Sequence, residues 1–426
     1  MVYYDRTMRP RSFPAIAAAL LLCARPAVVE AQATSALYNF ISSYFNPDPN
    51  AGLTAFRSLL IPMGGLAEGM GMAYTAAARD SSYFEANPAA SSVIDQTELA
   101  VFHNNWIADT RIEGAVYTIR TGNLGFGAMG KWLYLPFTGT NDFGDRIGSG
   151  YYSEATVGFN VSYNFLHSYT FNGIALGATA KLAWRSVPTE LAAAAGNSGL
   201  AAMIDAGALV RFNFLKPFAS RTKNSAVGLA IKNLGPPVQG EALPTVASAG
   251  FSWSPFRPLN LSTDLSQPIN LLEPAKSELP SIAGGFSLSM TDSFGFQGGL
   301  LIKGGNPRLS LGSTFALSLV KVTVNYTLDL TTQFTPLNRI SIQAAFALGD
   351  LGRAELARKV DRLYLDGLSD YGKGNLDAAI ALWTEAARLD PSFDPVRDSL
   401  RAAENAKKLK ADMDAIGKMD LTQPGQ

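Results

Sequence analysis

Two histidines, His103 and His167, and one cysteine, Cys23, are the residues in this 426-residue sequence best suited to proton transfer or thiol chemistry near neutral pH. Enzymatic catalysis of that kind needs a proton shuttle or an activated nucleophile held in a shaped site. Neither histidine belongs to an H-x-x-x-H or H-E-x-x-H pattern, and the chain has no G-x-S-x-G, P-loop or acidic metal loop. The expectation is a protein that is not an enzyme and uses no metal and no cofactor. The alternative left open is a hydrolase assembled from one of the histidines and a distant serine. A second chemistry is the holding of apolar molecules. Leu66, Met70, Met72, Tyr83 and Phe84 lie close together in a glycine-rich stretch. Methionine repacks readily around ligands of variable shape, so these five residues form the candidate hydrophobic pocket. Gly64, Gly65, Gly69 and Gly71 supply the tight turns that such a stretch requires.

The elements that would position these residues follow from hydropathy. From about Thr97 to Leu348 apolar residues recur with period two. Val157, Phe159, Val161, Tyr163 and Phe165 alternate with Gly158, Asn160, Ser162 and Asn164, and Ile174 to Trp184 and Val320 to Leu330 follow the same rule. Fourteen runs are predicted: 97–103, 111–120, 122–134, 151–164, 172–185, 201–214, 225–233, 245–253, 257–267, 281–290, 293–303, 307–316, 318–331 and 337–348. Many are near the roughly 9 to 11 residues of a strand crossing a bilayer, longer than the 5 to 6 common in soluble sheets. An even number of antiparallel strands can close without leaving an edge unpaired in lipid. Trp132, Tyr134, Tyr151, Tyr152, Trp184, Trp253 and Phe256 stand near run ends, where aromatic girdles belong.

Composition agrees. Charged residues make up 16% of the chain, against about 25% in soluble domains. Lys plus Arg equals Asp plus Glu at 35 each, which gives no basic excess for nucleic acid. The charge is unevenly spread: 26 of the 70 charged residues fall in the last 77 positions, from Asp350 onward. At the other end, Arg6, Arg9 and Arg11 precede the short apolar run Ala15–Ala24 and an Ala31-Gln32-Ala33 processing site, the pattern of a secretory signal over 1–33. Cys23 lies inside that signal, so the processed chain has no cysteine.

Residues 34–96 do not alternate and are too few and too glycine-rich for an independent core. The run Gly69-Met70-Gly71-Met72-Ala73-Tyr74-Thr75-Ala76, then Ala78, Asp80 and Asn87-Pro88-Ala89, resembles the N-terminal hatch of the FadL-type outer-membrane transporters, including their PorV-like and uncharacterised relatives. Its hatch motif comprises Gly69, Gly71, Tyr74, Asn87 and Pro88. The sequence departs from the family pattern at Met72, where a second glycine is usual, at Arg79, which replaces an acidic residue, and at Glu85, a charge in a usually apolar stretch. Val227 to Pro236 resembles the x-N-L-G strand end common in PorV-like members. The resemblance covers about Met63 to Leu348. It implies an all-β transmembrane barrel of about 14 antiparallel strands (97–349), a hatch over 34–96, and passage of hydrophobic small molecules such as long-chain fatty acids. Gly284-Gly285 and Gly298-Gly299 are candidate kinks for a lateral exit.

Residues 350–426 are different material. Gly367, Gly374, Ala379, Trp383, Ala386 and Pro391 fall at the small, aromatic and proline positions of a tetratricopeptide-like helix-turn-helix unit. One such unit cannot bury its own face, so either 354–360 and 395–413 supply flanking helices or the unit docks on something else. The whole sequence therefore reads as a barrel in the outer membrane of a diderm bacterium, in contact with outer-membrane lipid and hydrophobic small-molecule cargo, with no nucleic acid partner. Its helical tail (350–426) would be periplasmic. The alternative is a PorV-like scaffold or shuttle for secreted proteins, in which the tail docks a periplasmic or envelope protein.

Overall fold

A computed structural model describes residues 48–420 except 108, 141–142, 189–197, 304–305 and 331–337. The expected signal at 1–33 and the first part of the 34–96 segment lie outside the described residues. Fourteen strands form a closed antiparallel barrel in simple sequential order, with β1 pairing β14. They are β1 (Glu98–Asn105), β2 (Arg111–Thr121), β3 (Leu124–Thr140), β4 (Arg146–His167), β5 (Asn172–Ser186), β6 (Gly199–Phe212), β7 (Ser225–Leu234), β8 (Thr245–Phe256), β9 (Leu259–Ile269), β10 (Ser281–Ser289), β11 (Phe294–Lys303), β12 (Asn306–Leu317), β13 (Val320–Asp329) and β14 (Asn338–Ala347). Among the described residues no helix is long and apolar enough to cross a membrane.

The alternation sorts side chains between two faces. On β4, Val157, Phe159, Val161, Tyr163 and Phe165 are exposed on the outside, whereas Asn160, Ser162 and Asn164 are buried in the lumen. On β5, Leu176, Leu182 and Trp184 point out, and Thr179, Lys181 and Arg185 point in. Apolar outside and polar inside reverses the soluble convention, as a wall facing hydrocarbon requires. β3 and β4 extend well past the expected limits, pairing from Leu124↔Tyr163 to Thr140↔Arg146. The strand pair Gly284-Gly285 with Leu300-Gly299 is in continuous register, as is Gly298-Gly299 with Leu311-Ser310. The wall is therefore unbroken at both glycine pairs, and the expected kink for a lateral exit is not there. Neighbouring backbone explains one glycine of each pair: a Cβ on Gly285 or Gly299 would collide with the Met70 carbonyl.

That backbone belongs to a lumen segment, 48–97, which threads the barrel from end to end. It starts among the loops between strands, where Asp48 Oδ2 accepts from Leu279 N at 2.6 Å and Ala55 N donates to Ala242 O at 2.9 Å. It runs through α1 (Gly65–Gly69) and the short 3-10 turns Ser81–Glu85 and Pro88–Ser92. It leaves at the opposite mouth, where Thr97 N donates to Gly349 O at 2.7 Å. The barrel core is built around this segment: Met63, Met70, Tyr74, Tyr83 and Phe84 pack against wall residues such as Phe102, Ile112, Val116 and Leu209.

At the exit mouth, here called the helix end, three helices follow β14: α2 (Arg353–Gly372), α3 (Leu376–Leu389) and α4 (Asp394–Asp420). Their core is Val360, Ala379, Trp383, Ala386, Phe393, Val396 and Ala403. Trp383 Nε1 donates to Tyr364 O at 3.1 Å, and its ring fills the space that a side chain at Gly367 would need. The helices rest on the barrel through the paired contact of Arg221 Nη1 with Asp361 Oδ1 and Oδ2, at 3.0 and 2.9 Å, and through the edge-on rings of Tyr169 and Phe393, 4.8 Å apart. Hydrogen bonding to Asp361 raises the Arg221 guanidinium above its ordinary pKa.

Candidate functional site

Hydrogen bonds from wall side chains to the backbone of the lumen segment fix it in place. Asn87 is fully buried; its Nδ2 donates to Thr75 O and to Ala208 O on β6, at 2.9 and 3.0 Å, while its Oδ1 accepts from Ala89 N at 3.1 Å. Pro88 opens the turn that Asn87 caps, where its missing N–H costs nothing. From the wall, Asp264 Oδ2 accepts from Tyr74 N and Thr75 N at 3.0 and 2.7 Å, and Asn325 Nδ2 donates to Gly65 O at 2.8 Å. Asp80 caps the Ser81–Glu85 turn and also accepts from Tyr74 Oη at 2.9 Å.

Wall glycines let the backbone approach. Side chains on Gly125, Gly177 and Gly228 would collide with backbone atoms at Ser91, Pro88 and Thr75 respectively. Gly71 has a positive φ of 63°, and a Cβ there would come within 2.8 Å of Gly299 and Leu300 backbone. Met72 has a φ of 68°, the left-handed region that favours glycine, which gives a physical meaning to the glycine usual at this position in the FadL-type motif. Glu85 likewise has a local reason: its Oε1 pairs with Lys131 Nζ at 2.7 Å, and its Oε2 accepts from Met63 N at 2.8 Å.

Two cavities flank the lumen segment. The one toward the loops encloses about 120 Å³, and its apolar lining includes Leu59, Met72, Phe84, Met129, Val246 and Leu301. Lys131, Lys181, Lys232, Lys303, Arg308 and Arg339 line it as well. Several of these charges have carboxylate partners: Lys181 with Asp205 at 2.6 Å, Arg308 with Asp329 at 3.3 Å, and Lys303 with Glu278 at 3.8 Å. The Arg339 guanidinium lies 3.8 Å above the Trp106 ring, and its Nε and Nη2 have no hydrogen-bond partner. The second cavity, at the helix end, encloses about 400 Å³ and is lined largely by asparagine, serine and basic side chains.

Of the five residues expected to form a hydrophobic pocket, Met72 and Phe84 line the loop-side cavity. Leu66, Met70 and Tyr83 pack into the core around the lumen segment and do not line it. The hatch-motif residues Gly69, Gly71, Tyr74, Asn87 and Pro88 all serve the packing of segment against wall. The wall cations were missed by sequence reading, because each is a single inward position on a different strand. His103 Nδ1 lies 2.8 Å from Glu113 Oε1, and His167 lines the helix-end cavity. Among the described residues neither histidine is hydrogen-bonded to a hydroxyl, and no cluster of His, Cys, Asp and Glu is arranged to hold a metal ion.

The arrangement defines a closed 14-stranded barrel whose lumen is filled by its own N-terminal chain. The particular family is shown by sequence: residues 30–350 match the family described as "Uncharacterised protein family (UPF0164)", and the chain belongs to it. A UPF0164 protein of Treponema pallidum (strain Nichols) is 30% identical, covering 94% of this chain and 96% of its own length. Another from the same organism is 26% identical over 83% of this chain and 76% of its own. Among solved structures, the P. putida toluene transporter TodX covers 67% of this chain and 98% of its own, at 11% identity and a TM-score of 0.42. A Pseudomonas aeruginosa FadL homologue covers 66% and 97%, at 12% identity and a TM-score of 0.41. At these scores the likeness says nothing about cargo.

Proposed function

We propose that this protein sits in the outer membrane of a diderm bacterium and takes up hydrophobic small molecules, with the lumen segment as its hatch. The observation that carries the reading is the loop-side cavity, which places Met72, Phe84, Met129 and Leu301 inside a barrel whose outer face is apolar. Lysines and arginines around the same cavity suit an apolar molecule with an acidic head, such as a long-chain fatty acid. The helix end, with its tetratricopeptide-like tail, faces the periplasm in this reading. Passage requires the hatch to move, since its backbone is bonded to the wall along its length. In proteoliposomes the intact protein is expected to take up labelled oleate faster than empty vesicles do. Met129→Trp, which narrows the cavity, is expected to slow that uptake several-fold. Vesicles that hold folded protein and take up no oleate would overturn the reading.

One observation favours a second reading, a scaffold for an envelope protein. Leu409, Met413 and Ile416 are each more than 60% exposed and share one side of α4. If the tail docks a partner, replacing these three residues with serine should abolish co-purification of an envelope protein with the full-length chain while oleate uptake is retained.

A further inference from the structure

The helix-end cavity differs from the loop-side one in how its charges are arranged. Arg79, Arg120, Arg211 and Lys223 line it, together with one carboxylate, Asp95. Among the described residues none of the four cations forms an ion pair with a carboxylate. They donate to neutral oxygens instead. Arg120 Nη1 bonds Ile94 O at 3.1 Å, and Arg211 bonds Val93 O and Ala78 O, each at 3.2 Å. Arg79 Nη2 bonds Ser287 Oγ at 2.7 Å, and Lys223 Nζ bonds Thr170 O at 2.8 Å. From α2, Arg353 adds a fifth cation, its Nη1 bonding at 3.4 Å the same Ile94 carbonyl that Arg120 uses. A guanidinium has five N–H donors, so most of these groups keep donors to spare. Like charges gathered in a partly enclosed space repel, and the repulsion is relieved when an anion completes the set.

The polar lining adds a second indication. Asn164 is buried, lines the cavity and has its Oδ1 without a hydrogen-bond partner. An unpartnered buried acceptor is costly unless a hydroxyl or water reaches it. A protonated phosphate oxygen is such a donor, and its remaining oxygens match guanidinium forks.

We propose that the helix-end chamber is an oxyanion site for a phosphate group, carried either by free phosphate or by a lipid head. Arg120, Arg211 and Lys223 would hold the oxygens, and Asn164 would accept from a P–OH. The site needs no passage of cargo, so it stands or falls apart from the uptake reading.

The test is calorimetric titration of the full chain in nanodiscs of zwitterionic lipid at low salt, with inorganic phosphate, dodecyl phosphate and, as a control for screening, chloride. Saturable binding of a phosphate compound but not of chloride is expected. The double variant R120Q/R211Q is expected to weaken it by about tenfold or more, the scale on which charge-assisted hydrogen bonds act. Those two side chains also hold the lumen segment, so Lys223→Gln serves as the second variant: Lys223 Nζ bonds Thr170 O, outside that segment, and the bonds of Arg120 and Arg211 to the segment stay in place, with a loss of several-fold expected. Similar binding of both phosphates would point to the free anion, and binding of dodecyl phosphate alone to a lipid head; either supports the site. No saturable binding to the folded wild type, or unchanged affinity in Lys223→Gln, would overturn it.

Discussion

The barrel and the helical tail obey opposite rules of burial within one chain. In the tail, Trp383 is 1% exposed at the centre of three helices. In the barrel wall, Phe159 is 69% exposed while its neighbour Asn160 is 4% exposed. The difference shows that burial of apolar surface is only part of what holds the wall together: it operates where the wall meets the lumen segment, and not on the outer face. Backbone pairing closes the cylinder, the outer apolar face is left for lipid, and the inner face satisfies its polar groups on the lumen segment. The tail folds by the ordinary hydrophobic effect and attaches by a small contact.

The comparison can be broken most sharply in the tail. Trp383→Ala is expected to cost about 3–5 kcal/mol of tail stability through lost packing. Limited proteolysis should then cut within 353–420 while the barrel stays resistant. In the wall the same kind of test must be inverted. Phe159→Lys puts a charge on the apolar outer face and is expected to cost up to about 2–4 kcal/mol, read as a lower urea midpoint for unfolding from liposomes. Asn160→Leu, stabilising at many buried soluble positions, is expected to destabilise here by about 1–3 kcal/mol, because Pro88 O and Thr179 Oγ1 lose the donor that reaches them at 3.0 and 2.9 Å. Gly228→Ala probes the seam between wall and lumen segment. The added methyl would meet the Thr75 carbonyl, with an expected cost of about 1–3 kcal/mol and faster hydrogen exchange across 72–90. The smallest effect is expected at the junction of the two regions. Arg221→Ala removes a pair whose side chains are 68% and 35% exposed, so the loss should be at most about 1 kcal/mol and should vanish in high salt.

All fourteen strands were legible as period-two runs, because a side-chain period of two survives in any strand with unlike faces. The misjudged limits have local causes. Pro136 and Gly139 interrupt the alternation in β3, and Gly148-Ser149-Gly150 carries none at the start of β4, yet the pairing of these two strands continues past both. The helical tail was legible too, from its small and aromatic spacing, although α4 runs past the expected end at 413 to Asp420. The candidate pocket was only partly legible. Met70 and Met72 are two residues apart and of one type, yet one is sealed in the core and the other faces the cavity.

What the sequence determined by itself is thus everything that repeats locally: strand number, which face of each strand is apolar, the glycine-rich segment ahead of the strands, and the change of material near residue 350. Only the tertiary structure decided which charges are neutralised. Lys181 meets Asp205 because β5 and β6 are adjacent, and Lys131 meets Glu85 because the lumen segment passes that strand. Arg79, Arg120, Arg211 and Lys223 come from positions up to 144 residues apart and converge on a cavity with a single carboxylate, Asp95, with which none of them forms an ion pair. Pair energies fall with distance in space, and distance in space between separate strands is set by closure of the barrel, which no local spacing encodes.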